Sequence, residues 1–265
     1  MYGGIKLGIG YAVGCLLSIL LWKIDRQNIF SGINNFFIKH FKNNVIITIF
    51  YLFISLALFY FLRKVGNIHK PYIEIYNGLT TFIAIDVSNT ERKNLNRKDK
   101  IFFYNSISCI SRSLVCGFIA PIFYILIFGN ALAIVYMIIY NVSQQQDLLL
   151  IKGLNIIFNI IPAFIAEAFL YIIYIYTHKR FNFKQQINYK ENSIIRPLLN
   201  VDVIVAYIEN VNFYYYYTKD YVNYMKSYGK SNNKIDEKCI KNYLSIEYGI
   251  CILSFICFYY IISRV

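Results

Sequence analysis

Apolar runs of similar length recur along the chain, and short polar segments rich in lysine and arginine separate them. The runs cover residues 7–22, 43–62, 117–141, 148–177 and 248–263. A helix of about 20 apolar residues crosses a hydrocarbon core about 30 Å thick. The pattern therefore predicts an all-α, polytopic membrane protein, a helical bundle with about five or six spans.

The run at 117–141 contains residues that interrupt helices. Pro121 lacks the backbone N–H that an inner helical position donates, and Gly129 followed by Asn130 is typical of a helix end. We therefore expect a broken or re-entrant pair of short helices here rather than one continuous tilted span. A weaker apolar run at 71–87 includes Glu74 and Asp86 near its ends, so whether it spans is left open.

Composition and charge narrow the range of partners. Hydrophobic residues make up 57% of the 265 residues and charged residues 15%, against about 25% charged in a soluble domain. The net charge is +13. The lysines and arginines lie between the apolar runs, where they indicate loops that face anionic lipid. No basic stripe interleaved with aromatic residues points to nucleic acid. We expect a multi-pass protein of the cytoplasmic membrane whose partner is the lipid bilayer.

Lysine and arginine counts also predict an orientation. The loop at 88–112 and the segment after 178 are basic, whereas the short link at 144–152 holds one lysine. Because cytoplasmic loops are the basic ones, the first two are expected in the cytoplasm and the link outside.

The cysteines and histidines do not form a ligand pattern. The six cysteines contain no CxxC pair, and His40, His69 and His178 are scattered along the chain. Structural metal sites need closely spaced Cys and His ligands, so no metal site is predicted from these residues.

The only long polar stretch covers 178–247, and we expect a polar cytoplasmic segment there within a single membrane domain over 1–265. A run of four tyrosines at 214–217 is compatible with a strand or with an aromatic belt at the membrane interface. Basic residues in this stretch could hold a phosphate group, and the alternative is a solvated basic loop. The phosphate candidates are Arg196, Lys219 and Lys230.

Polar residues inside the run at 148–177 are further candidates for a site. Asn155, Asn159 and Glu167 are separated by four and eight positions, which places them on one face of a helix. They could hydrogen-bond to neighbouring helices or line a polar pocket, and both alternatives stay open.

Two blocks of sequence carry a resemblance to a known family. Residues 117–124 read GFIAPIFY and residues 129–136 read GNALAIVY. Together they resemble the CobD/CbiB family, integral membrane proteins of cobalamin biosynthesis. The blocks LNIIFNIIPAFI at 154–165 and VNFYYYY at 211–217 are similar to family segments and follow in the same order.

The resemblance implies an adenosylcobinamide-phosphate synthase, which forms an amide bond between aminopropanol phosphate and adenosylcobyric acid, a corrinoid. Activation of that acid implies Mg²⁺ and a nucleotide as cofactors. The chain resembles a divergent member, because Ser108, Arg112, Ser113 and Cys116 stand where the family has acidic and amide residues. The candidate polar pocket then comprises Arg112, Asn155, Asn159 and Glu167, and the catalytic residues are not predicted.

Three functions remain open at this point. The first is the synthase activity that the resemblance implies. The second is a non-catalytic relative, a membrane scaffold or ligand-binding subunit, because the matching acidic positions are substituted. The third is a small-molecule transporter, which is disfavoured because the chain has no clear internal repeat.

Overall fold

The structure is a computed structural model that describes residues 8–21, 26–41, 43–66, 72–86, 100–145, 148–179, 196–219, 222–228 and 235–264. Its elements in chain order are α1 (Ile9–Leu20), α2 (Arg26–His40), α3 (Asn44–Val65), α4 (Tyr72–Ala84), α5 (Lys100–Leu114), α6 (Ala120–Phe128), α7 (Asn130–Gln145), α8 (Leu149–His178), α9 (Pro197–Ile208), β1 (Phe213–Lys219), β2 (Val222–Tyr228) and α10 (Glu237–Ile262). A π-helical turn, Val115–Ile119, joins α5 to α6. The described part is thus a helical bundle with one two-stranded hairpin, which the all-α expectation did not include.

Four helical stretches among the described residues are long and apolar enough to cross a membrane: Asn44–Val65, Ile107–Phe128, Leu149–His178 and Glu237–Ile262. Only 22% of the apolar stretch of α3 and 17% of that of α10 is buried within the bundle. α4 has 13 residues, fewer than the about 20 that a lone crossing needs. The weak run at 71–87 therefore does not form a full-length span by itself.

α6 and α7 form an antiparallel helical hairpin at Gly129. This residue has a φ of 81°, which L-residues rarely adopt, and the expected helix break is present there. Tyr124 stacks on Tyr136 with ring centroids 5.2 Å apart, and Arg112 Nη1 lies 3.5 Å from Gln144 Oε1. The earlier residue of the stretch from α5 to α6 thus contacts the later residue of α7, which shows that α7 runs back antiparallel to this stretch. We call the end of the bundle at Gly129 the turn end, and the opposite end, where α7 stops, the link end.

The end of α8 lies beside the end of α9, where His178 Nε2 is 3.2 Å from the backbone oxygen of Ile208, and α9 in turn contacts α5 through the hydrogen bond from Ser108 to Asp202. That the loops at 88–112 and after 178 share one side, opposite the link at 144–152, stays a prediction.

α7 forms the centre of the bundle. Every residue at 133–143 is buried, and the helix packs against α3, α4, α6 and α8. A helix that is covered on all sides needs apolar residues around its whole circumference, which explains its uncharged sequence.

Pro121 accounts for the π-helical turn before α6. A proline has no N–H to donate to the carbonyl four residues earlier, which here is that of Gly117. The Gly117 carbonyl instead accepts a hydrogen bond from the backbone N–H of Asp86 at 3.0 Å. The segment after α4 is thereby attached to the π-helical turn.

Pro162 has the same effect inside α8. It leaves the carbonyl of Phe158 without its helical donor. The hydroxyl of Tyr124 donates to that carbonyl at 2.7 Å. A tyrosine of α6 thus supplies the hydrogen bond that the proline of α8 removes, which joins the two helices.

α1 and α4 run parallel and in close contact, because glycines leave room for the two backbones. A Cβ added at Gly10 would lie 2.1 Å from the backbone oxygen of Glu74, and one added at Gly14 would lie 2.4 Å from that of Gly78. Small residues spaced by four positions are common where membrane helices pack. The Glu74 carboxylate accepts hydrogen bonds from the N–H groups of Gly8 and Gly10, at 3.2 and 2.6 Å, and so caps α1.

The segment expected to be polar, 178–247, also contributes to the core. Every residue of α9 at 199–208 is buried, and the helix packs on α5 and α8. β1 and β2 pair from Phe213↔Tyr228 to Lys219↔Val222, so the tyrosine run lies in a strand. α10 begins at Glu237, inside this segment, and is therefore longer than the apolar run at 248–263.

Candidate functional site

A cleft opens between α5, α8 and α9 toward the link end of the bundle. It has a volume of about 270 Å³. We call it the arginine cleft, because arginines from two parts of the chain reach it. Its lining residues are Ser108, Arg112, Asn155, Ile156, Asn159, Arg196, Pro197, Leu198, Leu199 and Asp202.

Arg112 and Arg196 bring positive charge to the cleft from two directions. Arg112 lies in the last turn of α5. Arg196 directly precedes Pro197, the first residue of α9, so the positive end of that helix also lies at the cleft. Guanidinium groups bind phosphate and carboxylate oxygens through paired hydrogen bonds. The arrangement therefore favours an anion.

Asn155 and Asn159 place amide groups on the α8 wall, one helical turn apart. Asn159 is 1% exposed and donates through Nδ2 to the backbone oxygen and to Oδ1 of Asn155, at 2.8 and 2.9 Å. Tyr136 donates to Asn159 Oδ1 at 2.8 Å. These three hydrogen bonds fix the Asn159 amide, while the half-buried Asn155 lines the open part of the cleft.

Asp202 supplies the one carboxylate among the described residues that line the cleft. It is 6% exposed, and its Oδ2 accepts a hydrogen bond from Ser108 Oγ at 2.7 Å. Close to Ser108, the hydroxyl of Ser111 on α5 lies 2.8 Å from the hydroxyl of Tyr243 on α10. A second polar contact therefore joins α5 to α10 near the cleft wall.

The donor set of the cleft does not fit Mg²⁺. This ion takes oxygen ligands, usually carboxylates and phosphates, in octahedral geometry. The cleft offers it Asp202 alone among carboxylates of the described residues, and the two arginines would repel it. Elsewhere in the described part of the chain, no three His, Cys, Asp or Glu side chains form a group that could hold a metal ion.

The structure brings some predicted site residues together and leaves others apart. Glu167 lies on α8 about 12 Å further along the helix axis than Asn159, and it is buried outside the cleft lining. Lys219 ends β1, but its side chain lies outside the described residues, as does Lys230 entirely. The predicted residues that share the cleft are Arg112, Asn155, Asn159 and Arg196.

Sequence reasoning did not identify Asp202 or the role of Ser108. A single acid within the apolar stretch PLLNVDVIVAYI is the signal that points to Asp202, because a carboxylate in such a stretch needs a polar partner. Ser108 has no comparable signal, since a serine in a helix usually bonds to its own backbone.

Two of the blocks that resemble CobD/CbiB segments, residues 117–124 and residues 154–165, are in contact. Tyr124 of the first donates a hydrogen bond to the backbone oxygen of Phe158 in the second, and the second also supplies Asn155 and Asn159 to the cleft. The family assignment stays a prediction made from these residues. No protein-family model, curated protein or solved structure matches the chain.

Proposed function

We propose that this chain is a multi-pass protein of the cytoplasmic membrane that binds a phosphorylated small molecule in the arginine cleft. The observation that carries the proposal is the convergence of Arg112 and Arg196 on one cavity that also presents two amides. The resemblance to the CobD/CbiB family supplies the ligand class, which is aminopropanol phosphate. The pathway step is then the formation of adenosylcobinamide phosphate.

The membrane placement is supported by the helices that leave apolar side chains uncovered. On α3, Ile49, Phe53 and Leu56 are 61, 68 and 69% exposed. Soluble monomers rarely expose apolar surface in long continuous stripes, whereas a lipid-facing helix requires it. We place α3, the stretch from α5 to α6, α8 and α10 across the membrane, with α7 as a shorter pass among them, which makes about five spans.

The size of the cleft distinguishes between the two partners of the family reaction. Drug-sized ligands occupy clefts of about 300–1,000 Å³, and this one measures about 270 Å³. A small phosphate ester fits such a volume, whereas a corrinoid ring does not. The cleft therefore holds the aminopropanol phosphate, and any corrinoid partner stays outside it.

Calorimetric titration of the purified protein in detergent tests the ligand. We expect aminopropanol phosphate to bind and aminopropanol without the phosphate to bind at least about tenfold more weakly. Arg112→Gln and Arg196→Gln should each cost about tenfold or more, because each removes a charge-assisted hydrogen bond. Lys241→Gln is the matched control, since Lys241 forms an exposed pair with Glu237 on α10. Equal binding of the two ligands would overturn the proposal.

A non-catalytic, ligand-binding relative is the second candidate function. It is favoured by the position of Asp202, the single described carboxylate of the cleft, which already accepts a hydrogen bond from Ser108. Complementation of a strain that lacks the family synthase separates the two. Restored formation of adenosylcobinamide phosphate identifies a synthase, and binding without complementation identifies the non-catalytic relative.

A further inference from the structure

The acid that follows α4 lies inside the bundle. Asp86 is 5% exposed, and its backbone N–H donates to the Gly117 oxygen at 3.0 Å. Near the other end of α4, Asn77 Oδ1 accepts a hydrogen bond from Asn130 beside the turn at Gly129. Asp86 follows Asn77 by nine positions, which places it about 13 Å further inward along the helix axis. A carboxylate at this depth in a membrane-spanning bundle is a candidate for a functional site.

Ser113 lies on the face of α5 that the Asp86 backbone contacts. It precedes Gly117 by four positions, about one helical turn, so the two residues share a face. The opposite face carries Ser111, which contacts α10. Ser113 is 0% exposed, and its Oγ forms no hydrogen bond with the part of the chain that the structure describes. A buried hydroxyl thus faces the end of α4.

Asn141 belongs to the face of α7 that is turned toward α4. It follows Asn130 by 11 positions, about three turns, so both asparagines lie on the face that contacts Asn77. Asn141 is 0% exposed, and its Nδ2 donates to the Met137 oxygen at 2.9 Å. Its Oδ1 is buried and accepts no hydrogen bond from the described residues.

These side chains lie close to one level of the bundle. Tyr136 of α7 donates to the backbone oxygen of Cys116, and Gln144 of α7 contacts Arg112 of α5. Because the two stretches are antiparallel, the serine and the asparagine that lie between these two contacts come opposite each other. The residue count along α4 brings Asp86 to within one helical turn of the same level. Three segments thus place a carboxylate, a hydroxyl and an amide oxygen around a common point.

This set of oxygens suits a hard monovalent cation. Buried oxygens without a donor are unfavourable, and a cation that takes their lone pairs offsets this cost. The C-terminal end of α4 adds partial negative charge, and the ends of broken helices coordinate sodium in membrane transporters. Divalent ions are usually bound through more carboxylates or through phosphates. A sodium ion is also smaller than a water molecule, so it needs no cavity that water could enter.

We propose that Asp86, Ser113 and Asn141 bind a sodium ion inside the bundle. The ion contacts the carboxylate, the serine hydroxyl and the amide oxygen, and it joins the end of α4 to α5 and α7. The lining of the arginine cleft includes none of these three residues. The sodium site is therefore independent of the ligand proposed for that cleft.

Thermal unfolding of the full-length protein in detergent tests the site, in sodium, potassium or choline chloride at equal ionic strength. A ligand that binds only the folded state raises the Tm as its concentration rises. We expect sodium at about one hundred times its Kd to raise the Tm by about 5–10 °C relative to choline. Potassium, a larger ion, should raise it less. Equilibrium binding of radioactive sodium to the same protein measures the Kd directly.

Two buried serines of α5 supply a variant and its matched control. Ser113→Ala removes one sodium ligand and should weaken sodium binding about tenfold. Its Tm in choline should not fall, because the hydroxyl that it removes has no hydrogen bond. Ser111→Ala removes the contact with Tyr243 and should lower the Tm equally in all three salts. Asp86→Asn removes the negative charge and should abolish the effect of sodium.

Two results would overturn the inference. Equal Tm values of the wild-type protein in the three salts would mean that water or another neutral molecule meets these oxygens. An undiminished effect of sodium in Ser113→Ala would show that the ion binds elsewhere. The comparison of Ser113→Ala with Ser111→Ala decides the question even where Asp86→Asn lowers the yield of folded protein.

Discussion

Gly10→Ala should separate α1 from α4 and destabilise the fold. The new Cβ would lie 2.1 Å from the backbone oxygen of Glu74, and real Cβ atoms do not approach such atoms within 3.0 Å. The clash is with backbone, so no side-chain rotation relieves it. The two helices have to move apart by roughly 1 Å, the difference between these distances.

The size of the effect follows from three contributions. Overpacking of this kind costs about 1–3 kcal/mol. The movement also stretches the 2.6 Å bond from the Gly10 N–H to the Glu74 carboxylate, and hydrogen bonds to charged groups contribute about 1.5–3 kcal/mol. Alanine has a higher helix propensity than glycine, which stabilises the helix by about 1 kcal/mol. The net loss is about 3 kcal/mol.

Thermal unfolding in detergent, followed with a thiol-reactive fluorogenic dye, measures this loss. Cys15 lies on α1, is 4% exposed and becomes reactive when α1 detaches. We expect the Tm of Gly10→Ala to fall by about 6–12 °C, at about 2–4 °C per kcal/mol for a chain of this size.

Gly153→Ala is the matched control for this experiment. No atom lies within 4 Å of the added Cβ at Gly153 in α8, so only the propensity gain remains and the Tm should rise by about 2–4 °C. A shift of the Tm in the same direction in both alanine variants would contradict a backbone clash at Gly10.

Three further outcomes are expected from the same unfolding assay. Tyr124→Phe removes the hydroxyl that donates to the backbone oxygen of Phe158 and should lower the free energy of unfolding by about 1–3 kcal/mol. An unchanged Tm would show that this oxygen has another donor. Gly129→Ala meets no atom within 4 Å but has to adopt a φ of 81°, so it should cost about 1–3 kcal/mol of backbone strain, and a neutral result would contradict the turn geometry. Burial raises the pKa of the Glu209 carboxyl above its ordinary value of 4.5, the Asn242 hydrogen bond lowers it, and Asp236 raises it further. Because the pKa is raised in the folded state, the free energy of unfolding falls as the pH rises from 4.5 through that pKa. Glu209→Gln should remove this loss and raise the Tm at pH 7 relative to wild type. An unaltered dependence of the Tm on pH would refute the assignment to Glu209.

Local chemistry in the sequence predicted the features that depend on one short segment. The helix break follows from Gly129 and Asn130, and the shared face of Asn155 and Asn159 follows from their spacing of four. The buried helix α9 was missed because its 12 residues are shorter than a span and lie between strongly polar flanks. Averaged over 178–247, its apolar signal is lost.

The arginine cleft depends on contacts that sequence spacing does not encode. Arg112 and Arg196 are 84 positions apart, and they meet because α9 packs on both α5 and α8. The same is true of Ser108 and Asp202. The length of the run at 117–141 is ambiguous for a related reason, since 25 uncharged residues are long enough for one tilted pass or for two short helices, and only Gly129 and Asn130 favour the second.

The turn at Gly129 also determines on which side of the membrane later positions of the chain lie. α7 returns to the link end at Gln145, whereas α10 ends beside Gly129 through Ile262. With these helices across a membrane as proposed, an odd number of crossings separates the two positions. A reporter inserted after Gln145 and one fused after α10 will therefore lie in different compartments, so each serves as the internal reference for the other.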